Sequence, residues 1–213
     1  PTEGLVSPEE FIPIAERTGL ILPLGEYVLR TVCQQISCWN RHGFSGFRVA
    51  VNLSARQFQN NVPDLVASIM RETCISASSL ALEITEGIAM KNVDENIRML
   101  KELKALGLSI SIDDFGTGYS SLAYLKRFPL NTLKIDRSFI QEIAVNSDDR
   151  EITRAIIAMG QNLGLKVLAE GVETEEQVQL LRESGCDYIQ GYYYGRPLPA
   201  SQLVPYLKKE QLA

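Results

Sequence analysis

Along the chain, the apolar positions switch repeatedly between helical and strand spacing. Leu29, Val32, Ile36 and Trp39 recur on one stripe and predict a helix from about Gly25 to Arg41. Before it, Ser7-Pro8-Glu9-Glu10 has the form of a helix start, with a serine cap, a proline in the first turn and a glutamate three residues after the cap. Pro13 lacks the amide that a continuing helix needs, which predicts a kink or two short pieces before Gly19. Six strand-like runs then begin near Phe47, Leu80, Leu108, Thr132, Leu165 and Asp187. Helical patterns follow them around Asp64–Thr73, Val93–Leu106, Ser120–Arg127, Asp149–Leu163, Glu175–Glu183 and Ser201–Lys209. Gly107, Gly164 and Gly185 fall where left-handed helix terminators belong. Such alternation predicts a parallel α/β sheet, either open or closed into a barrel.

Strand parity favours the barrel. Phe47, Val49, Val51 and Leu53 share one face, and so do Leu80, Leu82 and Ile84, Leu108, Ile110 and Ile112, and Leu133 and Ile135. The opposite parity holds Arg48, Ala50, Asn52 and Ser54, then Ala81 and Glu83, Ser109, Ser111 and Asp113, and Lys134 and Asp136. A doubly wound sheet wants apolar residues on both faces. One aliphatic face for outer helices and one small or polar face for an interior suit a barrel better. With no linker or low-complexity stretch, residues 1–213 read as one domain. Six strands fall short of the usual eight, so further strands are expected upstream of Pro1.

Composition narrows the function classes. The 213 residues are 45% hydrophobic and 22% charged, as in ordinary globular proteins. The balance of 21 basic against 26 acidic side chains gives a net charge of −5, which argues against an electrostatic grip on DNA or RNA. No apolar run reaches the ~18 residues of a membrane span, and no leader pattern opens the chain, so a cytoplasmic protein without membrane insertion is expected. Cys33, Cys38, Cys74 and Cys186 match no zinc or redox spacing and read as reduced core residues. The single histidine, His42, follows a helix end and reads as a solvated cap, so no histidine-rich metal site exists.

The informative charges sit at strand ends. Asn52, Glu83, Asp113, Asp114, Lys134, Glu170 and Gln190 all fall at the C-terminal end of an expected strand, where parallel barrels build their active sites. Singly, each is explained as a turn, a cap or a solvated charge. Six strands ending this way make coincidence the poorer account. Several carboxylates converging on one mouth against Lys134 must bind either protons or cations. Oxygen donors without cysteine or histidine select Mg²⁺ or Mn²⁺ over zinc. Adjacent aspartates would let Asp113 bridge two ions while Asp114 holds one, an arrangement that activates water and clamps a phosphoryl oxygen. In the following segment, Gly116 and Gly118 permit a tight or mobile loop, and a plain structural turn fits them as well.

At these residues the sequence resembles the EAL-domain cyclic-di-GMP phosphodiesterases. The matching strings are Asn52-Leu53-Ser54, Glu83-Ile84-Thr85-Glu86, Asp113-Asp114-Phe115-Gly116-Thr117-Gly118, Leu133-Lys134-Ile135-Asp136, Ala169-Glu170-Gly171-Val172-Glu173 and Gln190-Gly191. Phe11-Ile12-Pro13-Ile14-Ala15-Glu16 and Arg196-Pro197-Leu198-Pro199 also fit. The resemblance implies a modified (β/α)8 barrel that hydrolyses cyclic-di-GMP to linear pGpG with two Mg²⁺ or Mn²⁺ ions. It implies that Asn52, Glu83, Asp113, Asp114 and Glu170 are metal ligands, that Lys134 contacts the catalytic water and that Glu170 also serves the water. Glu86 would tie down the loop carrying Gly116 and Gly118, and Asp136, Glu173 and Gln190 would support the metals and water. A homodimer and upstream regulatory domains are further implications. The Glu-Ala-Leu string that names the family, and supplies one more ligand, occurs nowhere in these residues. The string is expected upstream of Pro1, and a catalytically inactive cyclic-di-GMP-binding sensor module is the alternative function.

Overall fold

The computed structural model describes residues 4, 6–58, 60–118 and 122–206. Helix α1 (Pro8–Thr18) starts at the expected serine cap, where Ser7 Oγ accepts from the Glu9 amide, and ends at left-handed Gly19. Pro13 lies inside it without dividing it. Pro13 and Glu9 are exposed, so the carbonyl that loses its helical partner there faces water. Helix α2 (Ile21–Arg41) starts four residues earlier than the apolar stripe suggests, because Pro23 falls in the first turn, where its missing amide costs nothing. Its buried stripe is Leu29, Cys33, Ile36 and Trp39, with Val32 at the margin.

Six strands follow: β1 (Val49–Asn52), β2 (Leu80–Thr85), β3 (Ser109–Phe115), β4 (Thr132–Ile135), β5 (Lys166–Ala169) and β6 (Tyr188–Ile189). Each begins within two residues of its expected position. They form one parallel sheet in sequence order, with registers such as Asn52 beside Glu83 and Leu82 beside Ile110. Between strands run α4 (Val62–Thr73), α6 (Val93–Ala105), α9 (Ser147–Asn162) and α10 (Glu175–Glu183). Three four-residue helices, α3 (Ala55–Phe58), α5 (Glu86–Ala89) and α8 (Ser138–Gln141), are too short to leave a period in the sequence. Helix α7 (Leu122–Leu125) is shorter than the expected Ser120–Arg127, of which residues 120 and 121 lie outside the described part. The last expected helix is a 3₁₀ turn at Ala200–Gln202 with a helical turn over residues 204–206; residues 207–209 lie outside the described part. Gly107, Gly164 and Gly185 all have positive φ, as helix terminators should.

The parity reading holds. Leu80, Leu82, Ile84, Ile110, Ile112, Leu133 and Ile135 are fully buried in one core beneath the helices. That apolar burial, at about 25 cal/mol per Å², is what holds the fold together. The other face carries Ala81, Glu83, Ser109, Ser111, Asp113 and Lys134, all buried near the middle of the sheet. Ala50 and Asn52 on β1, and Lys166 and Tyr188 at the opposite side, are exposed. Among the described residues β1 and β6 each have a single neighbour, so the sheet is an arc of a barrel wall. The thiols are free as expected, but only Cys33 is a fully buried core residue. Cys74 is exposed because it occupies the left-handed cap of α4, where the chain turns at the surface. No helix among the described residues is long and apolar enough to cross a membrane.

Candidate functional site

Parallel register delivers the strand-end side chains to one rim. Lys134, at the end of β4 with its side chain 3% exposed, is the hub. Its Nζ lies 2.7 Å from Glu83 Oε2, 3.1 Å from Asp113 Oδ1 and 2.6 Å from Glu170 Oε1. Those carboxylates come from β2, β3 and the residue after β5, so a single ammonium on β4 joins four neighbouring strands.

Asp114 reaches this rim by a backbone irregularity. Simple alternation would send it to the face opposite Asp113. Instead, Ile112 pairs with Leu133 and Phe115 with Ile135, so β3 contains one extra residue between these points. Asp114 takes a left-handed φ of 53° within this bulge. The carboxylate oxygens of Asp113, Asp114 and Glu170 then lie within 4.8 Å of one another. Asp113 Oδ1 also accepts from the Asp114 amide at 3.0 Å. The alternation of β3 carries a legible sign of the bulge: Phe115, large and apolar, stands at the parity of Ser111 and Asp113, where a strictly regular strand would put a polar residue.

Four carboxylates crowd one ammonium, and their proton affinities show it. Burial pushes the Glu83 carboxyl above its ordinary range; Lys134 pulls it back, and Asp113 and Asp114 push it up again. Asp114 is raised by burial and by repulsion from Asp113 and Asp136. Glu170 is raised chiefly by burial, against the hydrogen bond from Lys134. For Lys134, burial alone disfavours the charge, but the pull of Asp113 and Glu83 and the bonds to Glu170 and Glu83 outweigh it, holding the ammonium firmly charged. The donors nearest one another are all oxygens and carry surplus negative charge. They fit a hard divalent cation.

The remaining expected residues take varied places. Glu86, 2% exposed, accepts the Gly116 amide at 3.0 Å, and its other oxygen is buried without a hydrogen-bond partner. A Cβ on Gly118 would lie 2.8 Å from that oxygen, so the loop approaches Glu86 closely. Asp136 caps α8, accepting from the Ser138 amide at 3.0 Å, and is near enough to repel Asp114. Glu173 and Gln190 line a cleft of about 220 Å³ together with Glu170, Arg137, Gln141 and Tyr192. Gly191 allows this: a Cβ there would meet the Val172 carbonyl oxygen at 2.1 Å, so only glycine brings the end of β6 against the Glu170 segment. Asn52 stands beside Glu83 in register, on the outer strand β1, and is exposed. Arg137 and Tyr192 were not anticipated. Tyr192, with the Arg196 guanidinium 4.6 Å from its ring centre, belongs to a loop whose aromatic run has no periodicity to single it out.

Known proteins are similar to this chain. MucR of Pseudomonas aeruginosa, a bifunctional diguanylate cyclase/cyclic di-GMP phosphodiesterase, is 49% identical over 205 residues, covering 96% of this chain and 30% of its own. Cyclic di-GMP phosphodiesterase NbdA of the same organism is 47% identical over 209 residues, covering 98% of this chain and 27% of its own. The chain thus spans less than a third of the length of these curated relatives. The solved MucR phosphodiesterase in complex with c-di-GMP superposes with a TM-score of 0.92 at 50% identity, over 95% of this chain and 83% of that one. The FimX EAL domain from the same organism, bound to c-di-GMP, shares the fold with a TM-score of 0.82 at 23% identity, over 90% of this chain and 77% of its own. The family model described as EAL domain matches residues 1–197, and the chain belongs to that family.

Proposed function

We propose that this chain carries the catalytic rim of a phosphodiesterase that opens one phosphodiester of cyclic-di-GMP to give linear pGpG. Asp113, Asp114 and Glu170 would hold two divalent ions, Mg²⁺ or Mn²⁺, with Glu83 and Asn52 completing the oxygen set. When bound, such ions supply Lewis acidity to the phosphoryl oxygens and make water a nucleophile near neutral pH. The residues of the chain do the rest. Lys134 fixes the rotamers of Glu83, Asp113 and Glu170 and sets its positive charge beside the attacking water. Glu170, whose burial raises its proton affinity, accepts the proton of that water. Glu86 holds the loop of Gly116 and Gly118 beside the ligands, while Asp136, Glu173 and Gln190 border the water and the scissile phosphate. The observation that carries this reading is one lysine in contact with three strand-end carboxylates.

In the complete domain, Glu170→Gln and Asp113→Asn each lower the rate of pGpG formation from cyclic-di-GMP with Mn²⁺ by roughly a hundredfold or more. Near-normal turnover in either variant refutes the assigned roles. Binding without hydrolysis is the second reading. It predicts calorimetric binding of cyclic-di-GMP with no pGpG formed. A homodimer, a cytoplasmic location and regulatory domains elsewhere in the parent protein complete the proposal, and sedimentation of the purified protein tests the first of these.

A further inference from the structure

Gly116 is gripped from two sides. On one side its amide donates to Glu86. On the other, the ring of Phe139 lies so close that a Cβ on Gly116 would be 2.7 Å from Cε2 and 3.1 Å from Cζ. Gly116 has φ +100°, and its missing Cβ would also stand 3.5 Å from Ile156 Cδ1. Phe139 is itself fixed. It belongs to α8, the helix that Asp136 caps, its amide donates to the Asp136 carbonyl at 3.2 Å, and its carbonyl accepts from the fully buried Thr153 hydroxyl at 3.4 Å. Thr153 and Ile156 both stand on α9, the 16-residue helix packed over β4 and β5. The strained residue of the rim, left-handed Asp114, is two positions before Gly116; its amide donates to Asp113 Oδ1 at 3.0 Å and its carbonyl accepts from the Thr117 hydroxyl at 2.9 Å, both contacts lying within the same short segment. A non-glycine residue at positive φ persists only where its surroundings over-determine it.

We infer that Phe139 is a positioning residue for the candidate metal site, a wedge from α8 that, with Glu86 opposite, pins Gly116 and so keeps the Asp113–Asp114 bulge turned toward the rim. The rim is thereby wired to α9 through packing. Displacing α9 outward would relax Phe139 and let Asp114 swing from the group, with no change in any ligand. This inference rests on the metal reading above only for its second readout.

The experiment compares Phe139→Ala, Phe139→Leu and a matched core deletion on the same helix layer, Ile157→Ala, in the complete domain. The first readout is amide hydrogen exchange over residues 113–118, with melting temperature measured alongside. The second is the Mn²⁺ concentration for half-saturation by calorimetry. Phe139→Ala is expected to speed exchange at these amides by at least about tenfold beyond the change at core amides of β2. It is also expected to raise the Mn²⁺ half-saturation by roughly tenfold, the usual effect of losing a group that orients ligands. Phe139→Leu restores both toward the parent, and Ile157→Ala lowers the melting temperature without moving either. Should Phe139→Ala not fold, Gly116→Ala attacks the same contact from its other side and is expected to show the same local exchange. If exchange over 113–118 in these variants only follows global stability, as in Ile157→Ala, Phe139 is core filling and the inference falls. If the parent takes up no Mn²⁺, the metal reading falls, and the exchange comparison still decides the wedge.

Discussion

The two ends of the sheet treat charge in opposite ways. At the N-terminal end of the strands, charged and amide side chains find partners of their own. Lys166 Nζ pairs with Asp187 Oδ1 at 2.6 Å, and the other oxygen of Asp187 accepts the Val167 amide at 2.9 Å. Asn131 Oδ1 accepts from Lys104 Nζ at 2.5 Å and from the Ile110 amide at 3.0 Å. Arg48 donates to the Ser78 carbonyl and the Ser109 hydroxyl. At the C-terminal end, Glu83, Asp113, Asp114 and Glu170 face the one ammonium of Lys134, and that ammonium is almost fully buried. Asp187 shows the contrast in its proton affinity: burial would raise it, but Lys166 and the Val167 amide win and hold it below the ordinary carboxylate range. Glu83, Asp114 and Glu170 are held above that range. One end stores stability and the other stores strain. Strain at a strand end of an α/β sheet marks the place where chemistry is done.

Lys134→Met breaks this contrast most severely. It strips three carboxylates of their shared partner, and losing one member of a buried ion pair costs about 3–5 kcal/mol. Urea unfolding of the metal-free protein should show a loss of that order and the turnover assay no product; unchanged stability would mean that Lys134 is not the hub. Next comes metal binding against pH. Because Glu83, Asp114 and Glu170 hold protons more tightly than usual, cations must displace those protons. Mn²⁺ affinity should therefore go on rising as pH climbs through and above the ordinary carboxylate range, with proton release visible in buffers of different ionisation enthalpy. A flat profile would show that the rim carries no such competition.

A smaller effect, opposite in direction to most substitutions, is expected from Asp114→Asn. A carboxyl whose folded pKa is raised stabilises the fold only while protonated, so its charge costs stability as pH climbs above the ordinary carboxylate range. Asp114→Asn should raise the melting temperature of the metal-free protein at neutral pH while weakening Mn²⁺ uptake. A lowered melting temperature together with intact metal binding would overturn both halves. The smallest change is Asp187→Asn at the other end. The pKa of Asp187 is depressed, so its contribution is present above the ordinary range and vanishes as pH falls through the folded value. The melting temperature of Asp187→Asn should sit slightly below the parent at neutral pH and merge with it in acid, a merging that scanning calorimetry would detect.

Much of this rim was legible before any coordinates. The six strands, their two faces and the polar residue ending each one follow from period and parity, because an aliphatic face must be covered whatever covers it. Asn52, Glu83, Asp113, Lys134 and Glu170 land on one side for that reason. The short helices α3, α5 and α8 escaped, since four residues cannot express a helical period. Helix α1 ran through Pro13 because the lost hydrogen bond lies on a solvated face. The bulge at Asp114 was written in the parity of Phe115 but needed the pairing with Ile135 to be recognised.

What sequence alone determined is which residues share a face and a strand end, because alternation and helix spacing are local rules. Only the tertiary structure decided that Lys134 meets Glu83 across 51 positions and grips Asp113 and Glu170 as well. It alone decided that Asp114 turns inward and that Phe139 closes on Gly116. Those outcomes depend on strand register and on which helix layer packs over which loop, and no short-range pattern encodes either.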